Sequence, residues 1–169
     1  GRILYHWKAK KITDTPWELT GEIIRCDPHV GECIDDWRGQ EWIQSPYIVK
    51  DAGKYYMFYG GHSTGRSASG TPAGGMTKDM FLSESQICLM VSADGLKWNR
   101  HLFKDGFSRL FTGPGEARDP CVIKVGDLWH LYYAGYENGD QPTLGGFFLR
   151  TSKDLINWSP YQVILRDPT

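Results

Sequence analysis

Two stretches of this chain can be laid one over the other without a gap. PYIVKDAGKYYMFYGG (46–61) aligns on PCVIKVGDLWHLYYAG (120–135) at an offset of 74 residues, with Pro46 over Pro120 and Lys50 over Lys124. Tyr55, Tyr56 and Phe58 then stand over Trp129, His130 and Tyr132, and each stretch is divided by a Gly-containing pair, Ala52-Gly53 or Gly126-Asp127. Aromatic and aliphatic runs on either side of such a pair predict a β-hairpin. A second match follows: ICLMVSADGLKWNR (87–100) aligns on FFLRTSKDLINWSP (147–160), placing Ser92, Asp94 and Trp98 over Ser152, Asp154 and Trp158. This again reads as strand, turn, strand.

The repeating unit is therefore four antiparallel strands in two hairpins, with its length variation in the middle connection, 62–86 in the first copy and 136–146 in the second. A constant frame with variable loops predicts an all-β fold of β-propeller blades. A fainter copy of the outer hairpin opens the chain, with Asp14 and Trp17 in the parts of Asp94 and Trp98. The expected layout is an outer hairpin over 1–25, a blade over 40–105 and another over 115–166. A blade buries its faces only by stacking on neighbours. Two and a half blades fall short of the four to eight of a closed ring, so further blades or a homo-oligomer would have to complete it.

Composition narrows the partners. A net charge of -1 leaves no broad cationic surface for nucleic acid or acidic lipid. No apolar run is long enough to suggest a membrane span, and the opening GRILYHWKAKK lacks the apolar core of a signal peptide. Cys26 and Cys33 flank a loop, CDPHVGEC, that a disulfide could close, although free thiols are the simpler reading. With His29 alone between them they do not make a metal site. The long loop after His62, rich in Gly, Ser and Thr, reads either as a surface excursion or as a lid at the rim of a pocket.

In a propeller the innermost strand of each blade lines the central channel. Arg118 and Asp119 stand at the start of such a strand, which points a carboxylate into the funnel with a guanidinium beside it. The alternative is a salt bridge that merely anchors the strand. Trp37 and Trp42 precede the first inner strand and His62 follows its hairpin, and aromatic faces and polar groups of this kind recognise sugar rings. Tyr55, Phe58, Trp98, Trp129, Tyr132 and Trp158 recur at equivalent blade positions and are expected to be core.

The run EARDPCVIKVGDLWHLYYAG, followed by FFLRTSKDLINWS, resembles the five-bladed propeller glycoside hydrolases of families 32, 43, 62 and 68. The resemblance spans most of the chain at the level of blades, about half of such a ring, and its chemically specific part is the Arg-Asp-Pro triplet. It implies that Asp119 stabilises the transition state or tunes the acid, with Arg118 as charge partner and sugar ligand. It also implies an Asp just before the proline of the first blade's inner strand, and here Ser45 stands at that position, behind Gln44. An amide does not titrate, and an unactivated serine is a weak nucleophile.

Glycosidic cleavage usually takes two carboxylates. The second would come from Glu116, Glu41, Asp35 or Asp36, from blades outside the sequence, or from another chain. The expected partner is an oligo- or polysaccharide, bound by Arg118, Trp42, Gln44, Ser45, His62 and Trp37, with Asp119 and Glu116 as catalytic candidates. The chemistry needs no cofactor, and a structural calcium ion in the channel is compatible with it. The competing expectation is a sugar-binding or assembly module that has lost the catalytic pair; Ser45 favours it.

Overall fold

The computed structural model describes residues 3–30, Glu32, 41–63, 86–112, 117–136 and 145–166. All regular elements among them are strands, apart from a 3-10 turn at Pro28–Val30. A leading hairpin pairs β1 (Ile3–Lys8) with β2 (Glu18–Arg25). The next sheet comprises β3 (Glu41–Asp51), β4 (Lys54–Ser63), β5 (Gln86–Ser92), β6 (Asn99–Arg100) and β7 (Arg109–Thr112). Its order is β3-β4-β5-β6, and β7 pairs with the other end of β5, so two short pieces share the outermost position. The last sheet, β8 (Ala117–Val125), β9 (Leu128–Tyr136), β10 (Gly145–Ser152) and β11 (Gln162–Arg166), runs in simple sequence order from one edge to the other. All pairings are antiparallel.

The hairpin turns explain the Gly-containing pairs. Ala52 and Gly53 both carry positive φ, 46° and 81°, as a type I′ turn requires, while Gly126 carries φ 59° at the first central position, where type II′ turns place glycine.

Strand alternation sends side chains to opposite faces, and the middle sheet is covered on both. One face packs Ile43, Met57, Tyr59, Cys88 and Met90 against Leu4, Ile23 and Ile24 of the leading hairpin. The other packs Phe58, Ile87 and Leu89 against Val122, Trp129, Leu131 and Phe148 of the last sheet. Burial from both sides accounts for the near-continuous apolar run of β5. It also accounts for Gly61, where an added Cβ would lie 3.0 Å from the Glu32 carbonyl oxygen and 3.1 Å from Cys88 Sγ. Of the aromatics expected in the core, Phe58 and Trp129 are buried and Trp98 and Trp158 pack at the margins of the two clusters. Tyr55 and Tyr132 are half-buried.

Candidate active site

The inner strands β3 and β8 share one irregularity. The ladder slips between Gln44 and Tyr47 on β3 and between Arg118 and Cys121 on β8, giving both strands a β-bulge at the repeat-equivalent Pro46 and Pro120. Proline brings no N–H to a ladder, so it is tolerated at a bulge. The residue before each proline takes positive φ, 51° at Ser45 and 54° at Asp119. Such a backbone is costly for a non-glycine residue, and bulges of this kind re-aim a side chain.

The two re-aimed side chains meet. Ser45 Oγ donates to Asp119 Oδ1 at 2.5 Å. Arg118 Nε lies 3.7 Å from Asp119 Oδ2, and the two side chains are 40% and 53% exposed. At that separation and exposure an ion pair contributes little stability. Asp119 is thus an accessible carboxylate held by a hydroxyl donor, with a guanidinium near its second oxygen. Such a group can stabilise developing positive charge or accept a proton.

Other sequence-predicted residues fall around this pair or outside view. Gln44 is half-buried and lies against the backbone of Gly60. Trp42 and His62 are register partners across β3 and β4, but their side chains, like that of Glu41, lie outside the described residues. So do Trp37, Glu116, Asp35, Asp36 and Cys33. Among the described residues no group of three or more His, Cys, Asp or Glu side chains is placed to hold a metal ion.

Two features were not anticipated. Tyr47 and Cys121, equivalent across the repeat, are neighbours; the interaction with Cys121, followed by partial burial, raises the Tyr47 pKa. Cys121 is an exposed free thiol two residues past Asp119. The second feature is a buried charged node at Glu32, a residue with no exposure. Its carboxylate accepts from Tyr59 Oη at 2.5 Å, from Arg100 Nε at 2.8 Å and Nη2 at 3.1 Å, and from the Asp27 amide at 2.8 Å. Arg100 also donates to the Arg25 carbonyl at 2.6 Å, so the node ties β2 to the middle sheet. The bonds to Glu32 push the Arg100 pKa up, and burial pushes Tyr59 and Cys88 up. The only sequence signal was indirect, a tyrosine at an inward-facing position whose hydroxyl needs a partner.

No family model and no curated protein matches the chain. Solved structures do. The chain superposes on a Bombyx mori family 32 β-fructofuranosidase with a TM-score of 0.67 and 20% identity, covering 99% of this chain and 30% of that one. It superposes on a Penicillium chrysogenum α-L-arabinanase, solved with arabinobiose, with a TM-score of 0.59 and 16% identity, covering 96% and 40%. A Fusarium graminearum α-L-arabinofuranosidase matches with a TM-score of 0.59 and 14% identity over 96% and 40%. The fold is therefore that of the propeller glycoside hydrolases, as the Arg-Asp-Pro run and the blade repeat led us to expect. The chain spans about a third of the length of these neighbours.

Proposed function

We propose that this chain is part of a carbohydrate-active propeller related to the glycoside hydrolases, and that Asp119 is the charged stabiliser of a furanoside or pyranoside bond undergoing cleavage. The observation that carries this reading is the meeting of two equivalent inner-strand bulges, which presents the Asp119 carboxylate to solvent with Ser45 as donor and Arg118 alongside. The fold neighbours, a β-fructofuranosidase and two arabinan- or arabinoside-cleaving enzymes, support the substrate class. Arg118 and Gln44 are the polar sugar contacts in this reading, with Trp37, Trp42 and His62 at the rim. The second carboxylate comes from Glu116, Glu41, Asp35 or Asp36, from blades outside this sequence, or from a neighbouring chain in a homo-oligomer. No step calls for a cofactor.

The test is release of sugar from aryl arabinofuranosides and from fructosyl and arabinosyl oligosaccharides. Removing a preorganised charge-stabilising group costs roughly a hundredfold or more in turnover, so Asp119→Asn is expected to lose at least that much with an unchanged melting temperature. Unfolding of Asp119→Asn would instead identify the Arg118-Asp119 pair as a structural anchor.

A second reading is a sugar-binding module without turnover, favoured by Ser45 standing where the resemblance implies a carboxylate. It predicts saturable glycan binding, weakened by Trp42→Ala, with no sugar released.

A further inference from the structure

A crevice of about 510 Å³ opens between the leading hairpin and the outer edge of the middle sheet. Ligand pockets typically run to roughly 300–1,000 Å³. One wall is the end of β2 and the two residues after it, and the other is Met90 of β5 with the run from Trp98 to Arg100. Both walls lie within this sequence, and the strands at the opening, β2 and β6, are edge strands, whereas the sheets stack on one another through their flat faces. Ile24 and Met90, 5% and 1% exposed, form the base, and the half-buried Trp98 ring packs against them. The Trp98 indole N–H donates to the Gly95 carbonyl at 3.2 Å, which fixes the plane of the ring. Glu22, Arg25 and Asn99 are exposed at the rim, and Asp27 and Arg100 are half-buried behind them. Arg25 is paired with Glu22 at 2.9 Å and Arg100 with the buried Glu32 at 2.8 Å. Two carboxylates, Glu22 and Asp27, thus stand against two guanidinium groups in the lining, so no net charge selects an ion.

We propose that this crevice is a second glycan site, which holds a neutral sugar unit with Trp98 against its ring and Glu22, Arg25 and Asn99 on its hydroxyls. An aromatic ring suits the apolar CH face of a sugar, while carboxylate, guanidinium and amide groups supply acceptors and donors for the hydroxyls. An ionised carboxylate has about four acceptor sites, so the ion pair with Arg25 leaves Glu22 able to accept from a sugar. The crevice is separate from Ser45 and Asp119. Ser45 lies on β3, and β3 and β6 are opposite edges of the β3-β4-β5-β6 path, three strand spacings or about 14 Å apart. A glycan long enough to reach both sites would be held more tightly than by either alone, because the second contact is made within one complex. The inference rests on the carbohydrate-active reading of the chain, but not on the role given to Asp119.

The test is titration of the whole 169-residue chain with arabinobiose and with the fructosyl trisaccharide 1-kestose, followed by NMR through the indole N–H signals of its 7 tryptophans. Sequential assignment identifies the Trp98 signal. At least one of the two sugars is expected to shift it saturably. Arg25→Ala and Asn99→Ala, both at exposed positions, are each expected to weaken that binding roughly fivefold, the size of one lost hydrogen bond. Asp119→Asn is expected to leave the Trp98 titration at its wild-type midpoint. A Trp98 signal that neither sugar moves, wild-type affinity in both rim variants, or loss of the shift in Asp119→Asn would overturn the proposal. Circular dichroism verifies folding, and Glu22→Gln takes the place of Arg25→Ala if that variant unfolds. A saturable Trp98 shift with no sugar released upholds the crevice and counts against the cleavage role of Asp119. Cleavage of a sugar that never reaches Trp98 overturns the crevice and leaves Asp119 in place.

Discussion

Ser45 and Asp119 are joined by a hydrogen bond across two neighbouring inner strands. Each sits at a bulge, ahead of a proline, with φ that a side chain rarely adopts. A hydrogen bond to a charged acceptor is worth roughly 1.5–3 kcal/mol in full, and about 1 kcal/mol is a fair expectation for a half-exposed pair. Ser45→Ala is therefore expected to reduce sugar turnover or glycan affinity by roughly fivefold, while Ser45→Thr, which keeps the hydroxyl, stays near wild type. Calorimetric titration or steady-state kinetics on the three proteins checks this. The 74-residue offset makes the two positions visible as equivalents, and in the sequence Ser45 reads as a sugar-binding hydroxyl standing where the resemblance implies a carboxylate. An alignment of equivalents cannot show that neighbouring sheets bring those positions into contact.

The Ser-x-Asp-x-x-x-Trp segments are local in both sequence and space, and so were readable as structural turns. Ser152 Oγ accepts from the amides of Asp154 and Leu155, and Asp154 Oδ1 accepts from those of Ile156 and Asn157; Ser92 and Asp94 repeat the pattern. Each Trp indole N–H then donates to the carbonyl three residues back, closing the turn. Asp14 does not follow: its carboxylate accepts from Lys11, behind it in the chain. Partial burial works to raise the Asp154 pKa, but the amide and side chain of Asn157, with Ile156 and Ser152, lower it from 3.8 to about 2. The folded value is the depressed one, so the stabilisation is present above pH 3.8 and is lost as pH falls towards about 2. Asp154→Ala is expected to flatten that acid limb in melting curves and to cost about 1 kcal/mol at neutral pH, the size of a lost cap.

At the scale of the whole molecule, the Glu32 node joins the leading hairpin to the middle sheet. Removing one partner of a buried ion pair costs roughly 3–5 kcal/mol because the other charge stays behind, desolvated. Arg100→Met is expected to lower the melting temperature by about 10 °C, taking roughly 2–4 °C per kcal/mol for a chain of this size. Differential scanning calorimetry reads this directly. Beyond Tyr59 nothing in the sequence flags the node, because its members come from three separate segments, the loop that holds Asp27 and Glu32, β4 with Tyr59 and β6 with Arg100, and only the packing of hairpin on sheet gathers them. The blade frame was legible for the opposite reason: its contacts repeat, and repetition leaves a visible period.

Cys121 turns this geometry into an instrument. Its thiol is exposed on the same inner strand as Asp119, whereas Cys88 is buried with a pKa that burial drives up, leaving almost no thiolate to react. A maleimide fluorophore coupled at Cys121 would sit at the mouth where Ser45 and Asp119 meet. Its emission would then test optically for the glycan of the proposed function, whether or not any bond is broken.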